Sequence, residues 1–294
     1  MEDDFFLTNL ELRESTETGE QKSGITHQSM KGMVLLSVLE LAARGEPRGA
    51  ITVLHDAGDR GDRYKDLAMA LATDGWAVAL PDLRGHGRTE GVRGHSAGLR
   101  EVNRDVHEIQ DHLAYRLPDQ PKVLVGQGLG ANYAATFAAE HPGVVQALVL
   151  VAPLVKIPFT EPTKPGGLKG MFKKLTPESP GTTGYRGEHL SSDPAAQSAW
   201  DGDEGCHGAI SLRAVEEAKR SAGFLARLGD LGVPTLLLVG DADPFVTPAE
   251  LEALAGGAVE LSVLAGQRHH PLQGAGAGDV HAKVVDFLNR VLAR

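Results

Sequence analysis

The chain has 294 residues, of which 41% are hydrophobic and 23% charged, enough to bury a sizeable core and too apolar for wholesale disorder. Its 39 acidic against 29 basic side chains leave a net charge of −10, which argues against a nucleic-acid partner or an anionic membrane held by a basic face and favours a soluble monomer or small oligomer. The 36 glycines carry no G-X-Y period, excluding collagen, and Cys206 is the single cysteine, excluding an intrachain disulfide or a Cys-built zinc site.

In chain order, the first thirty residues are polar and without clear period. Met33-Val34-Leu35-Leu36 and Val38-Leu39 are dense in strand formers and lead into Ala50 to His55, which reads as an opening hairpin or meander. Short apolar runs then recur at Trp76 to Leu80, Lys122 to Val125, Ala147 to Val151, Thr235 to Val239 and Val259 to Leu264, as expected of strands buried on both faces. Between them Tyr64, Leu67, Ala68 and Leu71 repeat at helical spacing, as do Val102, Val106, Ile109 and Leu113, and Val280 to Leu292 supplies a last amphipathic helix. Strand alternating with helix predicts a doubly wound, mostly parallel α/β sheet. The longest strongly apolar stretch, Val144 to Val155, is interrupted at Gln146 and falls short of the ~18 residues of a membrane span. The acidic start has no basic leader region, so the expected location is cytoplasmic.

One interval breaks the alternation. Residues 156 to 230 are rich in proline and show no strand run, so they read as an insertion, either a surface excursion or a lid over a site. The expected organisation is a polar segment over 1–32 and one domain over 33–294 that contains this insertion. Lys164, Lys169, Lys173 and Lys174 flank Met171-Phe172 within it, a pattern that suits a lipid surface or, more commonly, a solvated face.

Several segments carry a specific resemblance: Ile51 to Gly58 with Arg63-Tyr64, Pro81-Asp82-Leu83-Arg84-Gly85-His86-Gly87-Arg88-Thr89, Gly126-Gln127-Gly128-Leu129-Gly130, Leu190-Ser191-Ser192-Asp193-Pro194, Gly240-Asp241-Ala242-Asp243-Pro244 and Gly266-Gln267-Arg268-His269. Together, and in order, they resemble the monoacylglycerol lipase and lysophospholipase branch of the α/β-hydrolases, which is serine aminopeptidase-like. The resemblance implies an α/β-hydrolase fold with an inserted lid and hydrolysis of carboxylic esters. It also implies a Gly-x-Ser-x-Gly turn bearing the nucleophile, with an acid and a base later in the chain. By matching motifs, Asp243 falls on the acid and His269 on the general base, His270 being the less favoured register. The competing reading of Asp243 is an N-cap for a helix near Pro248. Arg84 and His86 read as braces for the loop around Asp82.

Two positions depart from the pattern. The centre of the turn is Gly128, which has no hydroxyl to bond an acyl carbon or give a proton to a base. The usual His-Gly pair of the oxyanion loop reads His55-Asp56. The oxyanion donors would be the backbone N–H groups of Ala57 and Leu129, and an inward Asp56 side chain would oppose the developing charge. The resemblance therefore implies a catalytically impaired pseudo-hydrolase that binds an acyl or apolar small molecule. Alternatives are a hydrolase using water activated by His269, or a Ser-to-Gly form of an active lipase.

Gly126, Gly128 and Ala131 also match G-x-G-x-x-A between a strand and a helix, a dinucleotide fingerprint, but the next strand ends at Ala152-Pro153 without the required acid. Adjacent His269-His270 invites a metal, yet no third ligand stands at suitable spacing, so neither metal nor cofactor is expected. Nothing around Cys206 marks it as a reactive thiol.

Overall fold

The computed structural model describes residues 13–14, 20–29, 32–96, 98–163 and 174–293. The basic cluster around Met171-Phe172 and most of the polar amino-terminal segment therefore lie outside the described residues. Eleven strands are present among them: β1 (Arg13–Glu14), β2 (Glu20–Ser29), β3 (Gly32–Leu41), β4 (Gly49–Leu54), β5 (Trp76–Pro81), β6 (Lys122–Gln127), β7 (Ala147–Val151), β8 (Pro180–Thr182), β9 (Ala209–Ser211), β10 (Thr235–Gly240) and β11 (Val259–Leu264). Nine form one sheet in the order β1-β2-β3-β5-β4-β6-β7-β10-β11. From β5 to β11 neighbouring strands run parallel, and β1, β2 and β3 extend the sheet antiparallel beside β5. The opening hairpin is thus β2 with β3. The expected meander of 33–39 into 50–55 is split, because β5 inserts between β3 and β4.

The helices are α1 (Lys65–Thr73), α2 (Leu99–Arg116), α3 (Leu129–Glu140), α4 (Gly187–Leu190), α5 (Pro194–Asp201), α6 (Leu212–Leu225), α7 (Pro248–Glu252) and α8 (Ala277–Val291). In β6, Val123 and Val125 join one core layer with Leu67 and Leu71 of α1 and Val284 and Leu288 of α8. Leu124 joins the opposite layer with Val102 and Val106 of α2, Phe137 of α3 and Val215 of α6. Continuous apolar strands are explained by this double cover. No helix among the described residues is long and apolar enough to cross a membrane.

The insertion departs from the expectation in one respect. It contains two short strands, β8 and β9, which pair antiparallel in a separate sheet. That hairpin carries α4 and α5 between its strands and leads into α6, which packs on α3. Buried Glu217 ties α6 to the start of α2, accepting from the Leu99 N–H at 3.2 Å while Arg213 and Arg220 pair with it at 3.1 Å. The parallel strands point their carboxyl ends toward this insertion, the place where crossovers diverge and open α/β sheets collect functional side chains.

Candidate active site

Four strand ends converge. The loop after β4 brings His55, Asp56 and Ala57, the turn after β6 brings Gly128, the loop after β10 brings Asp243, and the loop after β11 brings His269 and His270. Gly128 has φ 54° and ψ −117°, in the positive-φ region where a side chain is strained, so the sharp turn between β6 and α3 suits glycine. Gly130 has a different reason: a Cβ there would lie 2.2 Å from the Leu54 carbonyl, so α3 reaches β4 only without one.

Asp243 and His269 meet as the motif match implied. His269 Nδ1 lies 2.8 Å from Asp243 Oδ2, and both side chains are buried. The other oxygen of Asp243 accepts from the N–H groups of Phe245 and Val246 at 2.8 and 3.2 Å, which fixes the carboxylate in its loop. The helix cap is supplied instead by Thr247, in a capping box with Glu250.

The N–H groups of Ala57 and Leu129 also converge, and both donate at 2.7 Å to a single atom, Asp56 Oδ1. Asp56 therefore points inward. Its Oδ2 lies 3.1 Å from His269 Nε2 and 3.0 Å from His270 Nε2. An ideal Cβ on Gly128 would fall 2.2 Å from the Asp56 Cγ and Oδ1, so the carboxylate fills the space a side chain at position 128 would need. The loop holds this aim from behind: His55 Nδ1 donates to the Asp56 carbonyl at 2.7 Å, and His55 Nε2 accepts from the Leu83 N–H at 2.9 Å.

These contacts set the protonation states. Burial alone pushes Asp56 up, but hydrogen bonds and charge from His269 and His270 outweigh it and hold the carboxyl well below its usual range. Burial pushes His269 down, yet Asp243 on one ring nitrogen and Asp56 on the other raise it to about 10. At neutral pH its ring is an imidazolium with both N–H groups facing carboxylates. His270 Nδ1 stands 3.7 Å from Asp59 Oδ2, and Asp59 is itself paired with Arg63 at 2.9 Å.

Sequence reasoning missed two members of this group. Tyr185, between β8 and α4, places its hydroxyl 3.3 Å from His269 Nε2, and its ring lies edge-on to that imidazole. Burial, with the Asp56 and Asp243 charges, keeps that hydroxyl protonated. A lone tyrosine in an irregular stretch carries no signal of this. The second is the meeting of the inward Asp56 carboxylate with the His269-His270 pair: its one oxygen and the two ring nitrogens lie within 4.8 Å of one another. Chain spacing cannot reveal such a partner from β4. Each of the two ring nitrogens stands at hydrogen-bond distance from the one oxygen they share.

Beside Asp56 lies a cavity of about 20 Å³, bordered by Ala57, Leu83, Val102, Leu129, Tyr133 and Ile210 among others. Arg84 borders it too and forms a two-point pair with Asp105 of α2, while His86 Nδ1 contacts the Arg84 carbonyl at 2.9 Å. Cys206 is partly buried, and burial with the nearby Asp59 pushes its thiol up, away from thiolate reactivity.

Comparison with known proteins gives this geometry a lineage. The family model described as Serine aminopeptidase, S33 matches residues 45–273. A monoacylglycerol lipase of Mycolicibacterium smegmatis is 26% identical over 253 residues, covering 83% of this chain and 90% of that protein. The monoglyceride lipase of Homo sapiens is 31% identical over 212 residues, covering 68% of this chain and 66% of that protein. Among solved structures, the monoacylglycerol lipase of Paleococcus ferrophilus superposes with a TM-score of 0.71 at 22% identity, over 87% of this chain and 99% of that one. A soluble variant of the monoglyceride lipase from Saccharomyces cerevisiae gives 0.75 at 15% identity, over 99% of this chain and 98% of that one. With a family match over most of its length and the same sheet beneath the site, this chain belongs to the serine aminopeptidase S33 family, in the monoacylglycerol-lipase-like branch of the α/β-hydrolases.

Proposed function

We propose that this protein is a lipase-lineage hydrolase fold without serine acyl transfer, whose site takes up a small acyl or apolar molecule. The observation that carries the reading is the Asp56 carboxylate, which occupies both N–H donors of Ala57 and Leu129 beside a Gly128 that has no hydroxyl. A tetrahedral acyl intermediate needs those two donors for its own oxyanion, and a fixed negative charge there opposes it. The complementarity of Asp56 and Gly128 in space also weighs against a lone Ser-to-Gly replacement in an active lipase, since a serine side chain and the Asp56 carboxylate claim the same volume. The acyl or apolar class is supported by relatives named for monoacylglycerol hydrolysis.

Ester hydrolysis through water activated by His269 is disfavoured by charge. A base must be unprotonated to accept a proton, and the Asp243 and Asp56 carboxylates hold the proton on His269 up to about pH 10. Dinucleotide binding is disfavoured at the same atoms. The N–H of Leu129 at the start of α3, which would meet a phosphate, already serves Asp56, and β7 runs into Ala152-Pro153 without a ribose-binding acid.

The lid reading of the segment from β8 to α6 is part of the same proposal, supported by Tyr185 reaching His269 from it. A serine-reactive fluorophosphonate tests the core of the reading: no stoichiometric labelling is expected, and labelling at any serine that depends on His269 would overturn it. A thermal-shift panel of monoacylglycerols, fatty acids and NAD tests the ligand class. The melting temperature should rise with an acyl compound by mass action, and a rise with NAD alone would favour the nucleotide reading.

A further inference from the structure

Two imidazoles converge on one carboxylate oxygen. Asp56 Oδ2 lies 3.1 Å from His269 Nε2 and 3.0 Å from His270 Nε2, the three atoms lie within 4.8 Å of one another, and all three side chains are buried. Spacing along the chain offers a metal only the adjacent histidines, but the fold adds a ligand from the loop after β4. We propose that Asp56 Oδ2, His269 Nε2 and His270 Nε2 form a binding site for one divalent transition-metal ion of the zinc class.

The spacing and the surroundings fit such an ion. Zinc bonds of about 2.0–2.1 Å in a tetrahedral set hold neighbouring ligand atoms about 3.3–3.4 Å apart, so Asp56 Oδ2 need retreat from each nitrogen by only a few tenths of an ångström. Each imidazole is also presented as a ligand histidine is, with its other nitrogen turned to a carboxylate: His269 Nδ1 to Asp243 Oδ2 at 2.8 Å, and His270 Nδ1 to Asp59 Oδ2 at 3.7 Å. Asp59 is fixed in turn by Arg63, by the Tyr64 hydroxyl at 3.0 Å and by the Gln273 amide at 3.2 Å. Asp56 is aimed by its other oxygen, which accepts from the Ala57 and Leu129 N–H groups. The Tyr185 hydroxyl, 3.3 Å from His269 Nε2 and hydrogen-bonded to Asp56, is a neutral oxygen in place for the fourth position.

Charge and ligand type select the ion. The carboxylates facing the two imidazoles are Asp56, Asp59 and Asp243, all buried, and the arginine paired with them is Arg63. A divalent cation on neutral imidazoles offsets the two negative charges that Arg63 leaves. Two ring nitrogens and one carboxylate oxygen suit zinc or cobalt(II), whereas magnesium and calcium prefer sets of oxygen alone. The tautomers agree, because an ion on each Nε2 leaves the ring proton on Nδ1, where a carboxylate faces it. Binding displaces the hydrogens that otherwise point from the two Nε2 atoms to Asp56. It leaves Asp56 Oδ1 on the N–H groups of Ala57 and Leu129, so the site goes beyond the reading without serine acyl transfer and does not depend on which acyl or apolar molecule is taken up.

The rings of Tyr185 and Phe245 pack edge-on to His269, so ion entry is expected to be slow, and the protein is loaded both by prolonged incubation and by refolding in zinc chloride. After exhaustive dialysis, zinc per chain is measured by elemental mass spectrometry, and the loaded wild-type protein is examined by X-ray absorption. One tightly held zinc per chain with the back-scattering of two imidazoles is expected, magnesium should not be retained, and cobalt(II) should give the intense visible bands of a four-coordinate ion. Asp56→Asn and His270→Gln should each weaken zinc binding by more than the ~10–100-fold that a supporting residue contributes. His107→Gln, at the half-buried imidazole pair with His141, should retain it. Wild-type protein that holds no zinc by either route would overturn the proposal. So would zinc held equally by folded Asp56→Asn and His270→Gln, or an absorption spectrum with fewer than two imidazoles, since both mean an adventitious ion only. The absorption measurement uses the wild-type chain, so it decides the matter even where a variant does not fold. Fluorophosphonate labelling and acyl thermal shifts, which test the reading above, leave these readouts untouched.

Discussion

The mutual exclusion of Asp56 and a side chain at position 128 can be measured directly. Gly128→Ser places a Cβ at a residue with φ 54° and within 2.2 Å of the Asp56 carboxylate. Positive-φ strain at a non-glycine residue costs about 1–3 kcal/mol, and overpacking in a closed interior costs about 1–3 kcal/mol more. The carboxylate cannot swing aside cheaply, because it would leave the Ala57 and Leu129 N–H groups and the two imidazoles without their acceptor. Gly128→Ser should therefore destabilise by about 2–6 kcal/mol, read as a lower urea midpoint at unchanged slope. Adding Asp56→Gly removes the overlap but not the backbone strain, so a double-mutant cycle should show a favourable coupling of about 1–3 kcal/mol. Ester hydrolysis should arise in the double variant and not in Gly128→Ser alone, since only the double variant has both a hydroxyl and open oxyanion donors, and His269→Ala should abolish it. A Gly128→Ser protein as stable as the parent, or two effects that simply add, would refute the shared-volume argument.

The ion-paired core also fixes the response to pH. His269 is raised from 6.5 to about 10, so its contribution to stability is fully present below about 6.5 and lost as pH rises through about 10, whereas the lowered Asp56 contributes above its unfolded value of 3.8 and loses that contribution only in strong acid. The groups facing His269 are Asp243, Asp56, Tyr185 and His270, and Asp56→Asn should move the imidazole titration seen by NMR to lower pH; an unchanged titration would mean Asp56 is not its partner. Asp243→Asn should cost about 3–5 kcal/mol in denaturant melts, because it breaks a buried charged pair and leaves the imidazolium with one carboxylate fewer. Glu217→Ala should cost about 1–3 kcal/mol and speed hydrogen exchange in α6, since the Leu99 N–H and two arginines lose their common acceptor.

What the sequence makes legible follows from which forces are local. Runs such as Val123-Leu124-Val125 announce strands because a residue buried on either face must be apolar, and the helical spacing of Val102, Val106 and Ile109 announces the helix that covers them. Strand neighbours are not local. Nothing in Met33 to Leu39 tells it to pair with β5 rather than β4, because that choice is settled by crossover connections across the whole sheet. The meeting of Asp243 and His269 is readable because each stands in a short motif after a strand, where the backbone alone delivers the side chain. Asp56 and Gly128 show the opposite case. Read singly, one is a misplaced charge and the other a missing hydroxyl. In space they are complementary: the volume a side chain at position 128 would need is filled by the carboxylate of position 56, which takes the N–H groups of Ala57 and Leu129 and lies against His269. A side chain at position 128 and an inward carboxylate at position 56 exclude one another by volume, and a glycine at both positions would take from the N–H groups of Ala57 and Leu129 and from His269 the acceptor that Asp56 supplies in a buried site.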